Sequence, residues 1–163
     1  MKSSGLVAAV GTALLSACVS ISDTAQAPEA TETITRVGVF YAPKRVLVPG
    51  NDLYSGAIAY GGTIYLAGVI GRSETGDVQE ATRQAMEAVK TNIERAGGTM
   101  ADLLKCSVFL SDIEQYGPMN EVYAEYFTGL EPPARTAIAV SALPFGALVE
   151  VECIAAASSS HAE

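Results

Sequence analysis

The sequence predicts an α+β domain in which two helices lie on one face of a mixed β-sheet. Three observations predict it. Residues 78–96 and 118–128 repeat apolar positions every three or four residues, as amphipathic helices do. Short β-branched and aromatic runs, bounded by Gly, Pro, Asn and Asp, precede, separate and follow these helices. The resulting order, β-β-α-β-α-β-β, sets strands on both sides of each helix and gives two β-α-β units with their helices on the same face. Two layers leave one apolar sheet face uncovered, so a homo-oligomer is expected.

Residues 35–41 and 45–48 are short β-prone pieces, broken by Pro43 and closed by Pro49-Gly50. Residues 53–60 form the next strand, and Gly61-Gly62 turns it tightly into a buried strand over 63–69. Gly71, Ser73, Thr75 and Gly76 mark a loop, and Asp77 is the expected N-cap of the helix over 78–96, which Gly97-Gly98 stops. Val78, Ala81, Ala85, Val89, Ile93 and Ala96 give that helix its buried face. Glu80, Arg83, Glu87, Lys90 and Glu94 give it a solvated one. A strand over 104–110 follows. Pro118 suits the first turn of the second helix, whose stripe of Met119, Val122, Tyr123, Tyr126 and Phe127 reads as core. Pro132-Pro133 stiffens the entry to a strand at Arg135, and the last strand covers 147–156.

The 163 residues suit one domain with a real core, and 49% hydrophobic against 17% charged residues argues against disorder in the body. A net charge of -8 without a basic patch makes nucleic acid a poor partner. Cys18, Cys106 and Cys153 show no C-x-x-C spacing, and His161 is the one histidine, so the usual zinc site lacks ligands.

The start reads as a targeting segment. Lys2 precedes a small and apolar run over 5–15, too short to span a bilayer and suited to the h-region of a secretory signal. It ends in Leu15-Ser16-Ala17-Cys18, which resembles the bacterial lipobox, where the cysteine is lipidated and becomes the new N-terminus. Cleavage at Ala25-Gln26-Ala27 is the alternative, disfavoured by Pro28. The expected organisation is a signal peptide over 1–17, a flexible tether over 18–33, the folded domain over 34–157 and a loose tail over 158–163. That makes the chain an exported lipoprotein, periplasmic or on the outer membrane of a bacterium, held by a lipid on Cys18. In an oxidising compartment Cys106 and Cys153 can form a disulfide, but two buried core thiols are the expectation, since each falls in a predicted strand.

Residues 132–152 carry the chemistry. They read as a hairpin-like pair of strands joined by a Pro-Phe-Gly turn, each holding a charge that costs free energy unless it is paired or used. Alternation sets Leu148, Glu150, Glu152 and Ile154 on one face and Val149, Val151, Cys153 and Ala155 on the other. The apolar set should face the helices. The glutamates are then either a solvated face or a pair in which one carboxyl holds and activates a water. Arg135 is either an ion-pair partner of Glu131, Glu150 or Glu152, or a planar fork for a substrate carboxylate. With no G-x-S-x-G, no phosphate-cradling glycine motif and no Ser-His-Asp set, covalent serine catalysis is not expected.

With these residues in order, the chain resembles the Rid family (YjgF; reactive-intermediate or enamine/imine deaminases) over roughly residues 53–156. Pro133-Ala134-Arg135, Leu143-Pro144 and Val149-Glu150 match at the family's spacing. Tyr54-Ser55, Ala67-Gly68, Ala96-Gly97-Gly98, Met119-Asn120, Tyr123 and Tyr126-Phe127 support the match. The resemblance implies a chorismate-mutase-like fold, assembled as a homotrimer with clefts between subunits. It also implies hydrolysis of 2-imino or enamine acids, such as 2-iminopropanoate and 2-iminobutanoate, to 2-keto acids and ammonia without a cofactor. By position, Arg135 would hold the carboxylate, Glu150 would orient or activate the water, and Tyr54 would line the cleft. Backbone groups at Gly68 and Ala137 would lie near the imine, with Ala67 beside them and Asn120 in support. The family's deaminases commonly carry Ser where Ala67 stands and Cys where Ala137 stands. A non-catalytic trimer that binds small carboxylates in the cell envelope is the alternative.

Overall fold

The computed structural model describes residues 43–157. The expected signal peptide, the lipobox with Cys18, the tether, the strand over 35–41 and the tail lie outside the described residues. The chain runs through β1 (Arg45–Val48), β2 (Ala57–Tyr60), β3 (Thr63–Leu66), β4 (Val69–Gly71), α1 (Val78–Arg95), β5 (Leu103–Leu110), α2 (Tyr116–Glu125), β6 (Ala134–Ala139) and β7 (Val149–Ala156). Among the described residues no helix is long and apolar enough to cross a membrane.

The strands form one mixed sheet in the order β1-β2-β3-β7-β5-β6, with β4 also paired to β7. Among the described residues β5 and β6 are the only hydrogen-bonded pair that runs parallel, and they are joined through α2 as a β-α-β crossover. Both β4 and β5 run antiparallel to β7, so they are parallel to each other across it, and α1 makes the second crossover. The two expected units are present.

α1 forms as its residue pattern requires. Asp77 Oδ accepts from the Gln79 N–H at 2.8 Å, satisfying one of the free donors of the first turn. At the other end Gly97 adopts φ +82°, and the Gly98 N–H reaches the Ile93 carbonyl at 2.9 Å. All six residues of its expected apolar face are buried, and the five charged residues of the opposite face are exposed. The face packs on β4, β7 and α2. Here Gly71 is required, because a Cβ on it would run into the backbone carbonyl of Ala81. Ile64, Met86, Ile93, Leu110 and Met119 are fully buried, and each contributes about 1.5–3 kcal/mol on removal from water.

Several expectations are corrected. Residues 132–152 are not a hairpin: β6 and β7 are both partners of β5, which lies between them. The strand expected over 53–60 begins at Ala57, because Asn51 Oδ1 accepts from the Leu53 and Tyr54 N–H groups at 2.8 and 3.2 Å and folds that segment into a turn. The second helix has Pro118 in its first turn as expected, but it ends at Glu125 rather than near Thr128. Cys106 and Cys153 are buried as expected, but they are not free thiols. They face each other across β5 and β7 and form a disulfide. Only strand pairing, which brings residues 47 apart into register, reveals that contact.

Candidate functional site

The strand expected over 63–69 is interrupted, and the interruption builds a cleft. Tyr65 pairs with Ile154 and Val69 with Val151, so four steps along one strand meet three along β7. The extra residue is a β-bulge over 66–68, a device that bends a strand and re-aims its groups. There the Ala67 N–H bonds the Gly56 carbonyl at 3.0 Å. Beyond the bulge β4 has β7 on one side and, among the described residues, no strand on the other. A cleft of about 840 Å³ opens at this place and reaches from Tyr65 and Glu150 round to Ala88 of α1.

Glu150 lies opposite Ile70 and Phe109 on the sheet face away from the helices, and its carboxylate sits against Gly68. A Cβ at Gly68 would run into Glu150 Oε1. Tyr54 and Ser55 come to the rim on the turn that Asn51 shapes, and Lys44 adds a cation. The body of the cleft is apolar, with Ile58, Leu66, Val69 and Ile70. Its far wall is Pro144 and Phe145. Phe145 is 84% exposed and has φ +55°, a left-handed conformation that costs a residue with a side chain roughly 1–2 kcal/mol.

Arg135 lies elsewhere. It stands opposite Cys106, itself opposite Cys153, so it shares the helix side of the sheet, whereas Glu150 is on the other side. The guanidinium rests on the rings of Tyr123 and Tyr116, 4.7 and 5.7 Å from their centroids, and donates to Tyr116 Oη at 3.2 Å. Among the described residues it has no ion pair with Glu131, Glu150 or Glu152; the one ion pair between described residues joins Arg83 and Glu125 at 3.6 Å. Asn120 and Tyr123, one turn apart on α2, each hold a buried polar atom (Oδ1 and Oη) without a hydrogen-bond partner. Burial pushes the Tyr123 hydroxyl up to about 12, against the opposing pull of Arg135. Buried polar atoms that the described residues leave without partners are unusual, and they give this face of α2 unmet bonding capacity.

Within one chain, then, Tyr54, Ala67, Gly68 and Glu150 line the same cleft. Arg135 and Ala137 stand on the outer strand β6, and Asn120 on α2. The aromatic platform under Arg135 escaped the sequence reading, although Tyr116 and Tyr123 are seven residues apart and so share a helix face. Phe145 and Lys44 were missed as well; their position depends on where the loops fold. Among the described residues no three His, Cys, Asp or Glu side chains converge on a metal position.

This arrangement defines an α+β domain with a largely apolar cleft at a sheet bulge. The chain belongs to the family described as Endoribonuclease L-PSP, which includes the Rid and YjgF proteins: the family's model matches residues 47–157. A RutC family protein of Pyrococcus horikoshii is 44% identical over 108 residues, covering 63% of this chain and 85% of that protein. The rat 2-iminobutanoate/2-iminopropanoate deaminase is 38% identical over 108 residues, covering 63% of this chain and 78% of that protein. Among solved structures, the Rid family protein YyfA of Yersinia pestis superposes with a TM-score of 0.65 at 35% identity, covering 69% of this chain and 98% of that one. TdcF of E. coli with bound serine gives 0.62 at 29% identity, covering 70% and 96%.

Proposed function

We propose that the protein is a cofactor-independent deaminase of 2-imino and enamine acids. The observation that carries this reading is the Glu150 carboxylate, held against Gly68 in an otherwise largely apolar cleft. In the reaction, a water oxygen adds to the imine carbon while Glu150 takes its proton. Glu150 passes that proton to nitrogen, giving a carbinolamine; as the hydroxyl proton is then carried through Glu150 to the amine, C=O forms, the C–N bond breaks, and a 2-keto acid and ammonia leave. An imine is already electrophilic, so positioning and one proton acceptor suffice. The rat relative named for this activity and the relative with bound serine support a small amino-acid-like ligand.

The reading needs Arg135 to clamp the carboxylate, yet Arg135 and Glu150 lie on opposite sides of one sheet. A homotrimer resolves this: the edge strand β6 of one copy, with Arg135 and Ala137, would close the cleft of the next. Exposed Tyr65, Leu104 and Ile138 supply an apolar surface for that contact. The Cys106–Cys153 disulfide fits an oxidising compartment and so supports export, with Cys18 as the lipid attachment point. A net charge of -8 opposes a polyanionic substrate.

The test is keto acid and ammonia release from imines made in situ by an amino-acid oxidase. The wild-type chain should accelerate it, and Arg135→Ala and Glu150→Gln should not. No acceleration over buffer by the wild type would reject the enzymatic reading. Separation of Arg135 from Glu150 favours one second reading, a trimer that binds small carboxylates without turnover. It predicts saturable stabilisation by 2-keto acids, lost in Arg135→Ala, with no ammonia released.

A further inference from the structure

Phe145 is unexplained by the fold. It is a large apolar side chain left 84% exposed, its backbone is in the left-handed region, and Gly146 beside it is there too, at φ +67°. An asparagine or glycine would adopt that conformation more readily, and a polar residue would suit the exposure better. Strain maintained by the surroundings is a mark of functional positions. Pro144 fixes the approach, and the Ala147 N–H bonds the Pro144 carbonyl at 3.1 Å, so the turn is held from both ends. The turn sets the ring on the wall of the cleft that contains Glu150.

The rest of that wall is of the same chemical kind. Ile58, Leu66, Val69 and Ile70 give the cleft an apolar body, while Glu150 and the backbone at Gly68 give it a polar place. A substrate whose reacting carbon lies at Glu150 directs its side chain along this body. A methyl group would leave these apolar residues uncovered. An isobutyl or benzyl group would cover the apolar residues and give the Phe145 ring a partner.

We infer that Phe145 determines side-chain specificity, and that the preferred substrates are imino acids with bulky apolar or aromatic side chains. This inference rests on the deaminase reading for its reaction, but not for its recognition. The experiment therefore has two arms, run on the whole protein. In the first, imines generated from phenylalanine, leucine and alanine are compared in wild type, Phe145→Ala and Phe145→Lys. The wild type should favour the phenylalanine-derived imine over the alanine-derived one by about tenfold or more in kcat/KM. Both variants should lower that ratio about tenfold. In the second arm, phenylpyruvate and pyruvate are titrated by calorimetry, which needs no turnover. Phenylpyruvate should bind about tenfold more tightly than pyruvate, and the variants should remove the difference.

If no imine is hydrolysed while the binding preference stands and vanishes in the variants, the deaminase reading fails and the specificity role survives. If the wild type prefers the methyl substrate in either arm, the inference is overturned. The same holds if the preference is equal in wild type and both variants. Phe145→Gly, which relieves the backbone strain, separates the ring's contribution from any fault in folding: it should be at least as stable as wild type and lose selectivity all the same.

Discussion

A Cβ on Gly68 would run into Oε1 of Glu150. The missing side chain of one residue is what lets the carboxylate of the other lie against the bulge. Gly68→Ala should displace the end of a flexible side chain at little cost to stability, and remove the proton acceptor from its position. We expect kcat/KM for imine hydrolysis to fall tenfold or more, with a melting temperature within about 2 °C of wild type. Gly71→Ala should do the reverse, because its Cβ meets the Ala81 backbone, which cannot turn aside. It should destabilise by about 1–3 kcal/mol, read from urea unfolding. Equal effects of the two substitutions on stability would contradict this contrast.

Arg135 is held by stacking and by one hydrogen bond, and the two can be separated. Arg135→Lys keeps the charge and loses the planar fork, so binding of 2-keto acids should weaken about tenfold or more. Tyr116→Phe keeps the ring and loses the acceptor at 3.2 Å. It should raise KM a few-fold and leave kcat near wild type. A drop in kcat alone would mean that Tyr116 does more than position the guanidinium.

The disulfide closes a long span of chain, with its cysteines 47 residues apart. Constraining the unfolded chain over such a loop is worth about 4 kcal/mol in the loop-entropy account, and typically 2–4 kcal/mol when measured. Reductant should lower the urea midpoint of the wild-type chain and leave the Cys106→Ala/Cys153→Ala double variant unaffected. A reductant-insensitive wild type would show that the buried pair contributes as packed thiols.

Alkaline stability should report on Tyr123. Burial, opposed by Arg135, pushes its hydroxyl up to about 12 from an ordinary 10.0. A group with a raised folded pKa contributes stability that is intact below about pH 10 and lost as pH climbs towards about 12, because the unfolded chain ionises first. Tyr126, raised to about 12 by burial and by its hydrogen bond to Glu87, acts over the same window. The urea midpoint should therefore decline between about pH 10 and 12, less steeply in Tyr123→Phe. An unchanged slope in that variant would assign the decline to other groups.

How much of this was legible in the sequence depended on distance along the chain. The α1 face from Val78 to Ala96, the cap at Asp77 and the alternation through β7 are local patterns, and all three appear in the structure. What the sequence could not reveal was pairing. Nothing local shows that β5 separates β6 from β7, so Arg135 and Glu150 looked like neighbours when they lie on opposite faces. The same blindness hid the partnership of Cys106 with Cys153. The bulge at Ala67-Gly68 was hidden as well, because the extra residue exists only relative to β7. Phe145 looked like an ordinary turn residue because its exposure is a property of the folded loop.

The bulge separates what the sheet needs from what the cleft needs. If one residue were removed from 66–68, β3 and β4 could run on as an unbroken strand. Val69 would still meet Val151, and Gly71 would still meet Val149. Gly71 would keep its place under α1. The fold thus has no use for the additional residue, and its ladder would be more regular without it. A single-codon deletion here is a change that selection for stability would accept and selection for activity would not. The length of this short stretch, more than the kinds of residue in it, is where the history of the function would be written.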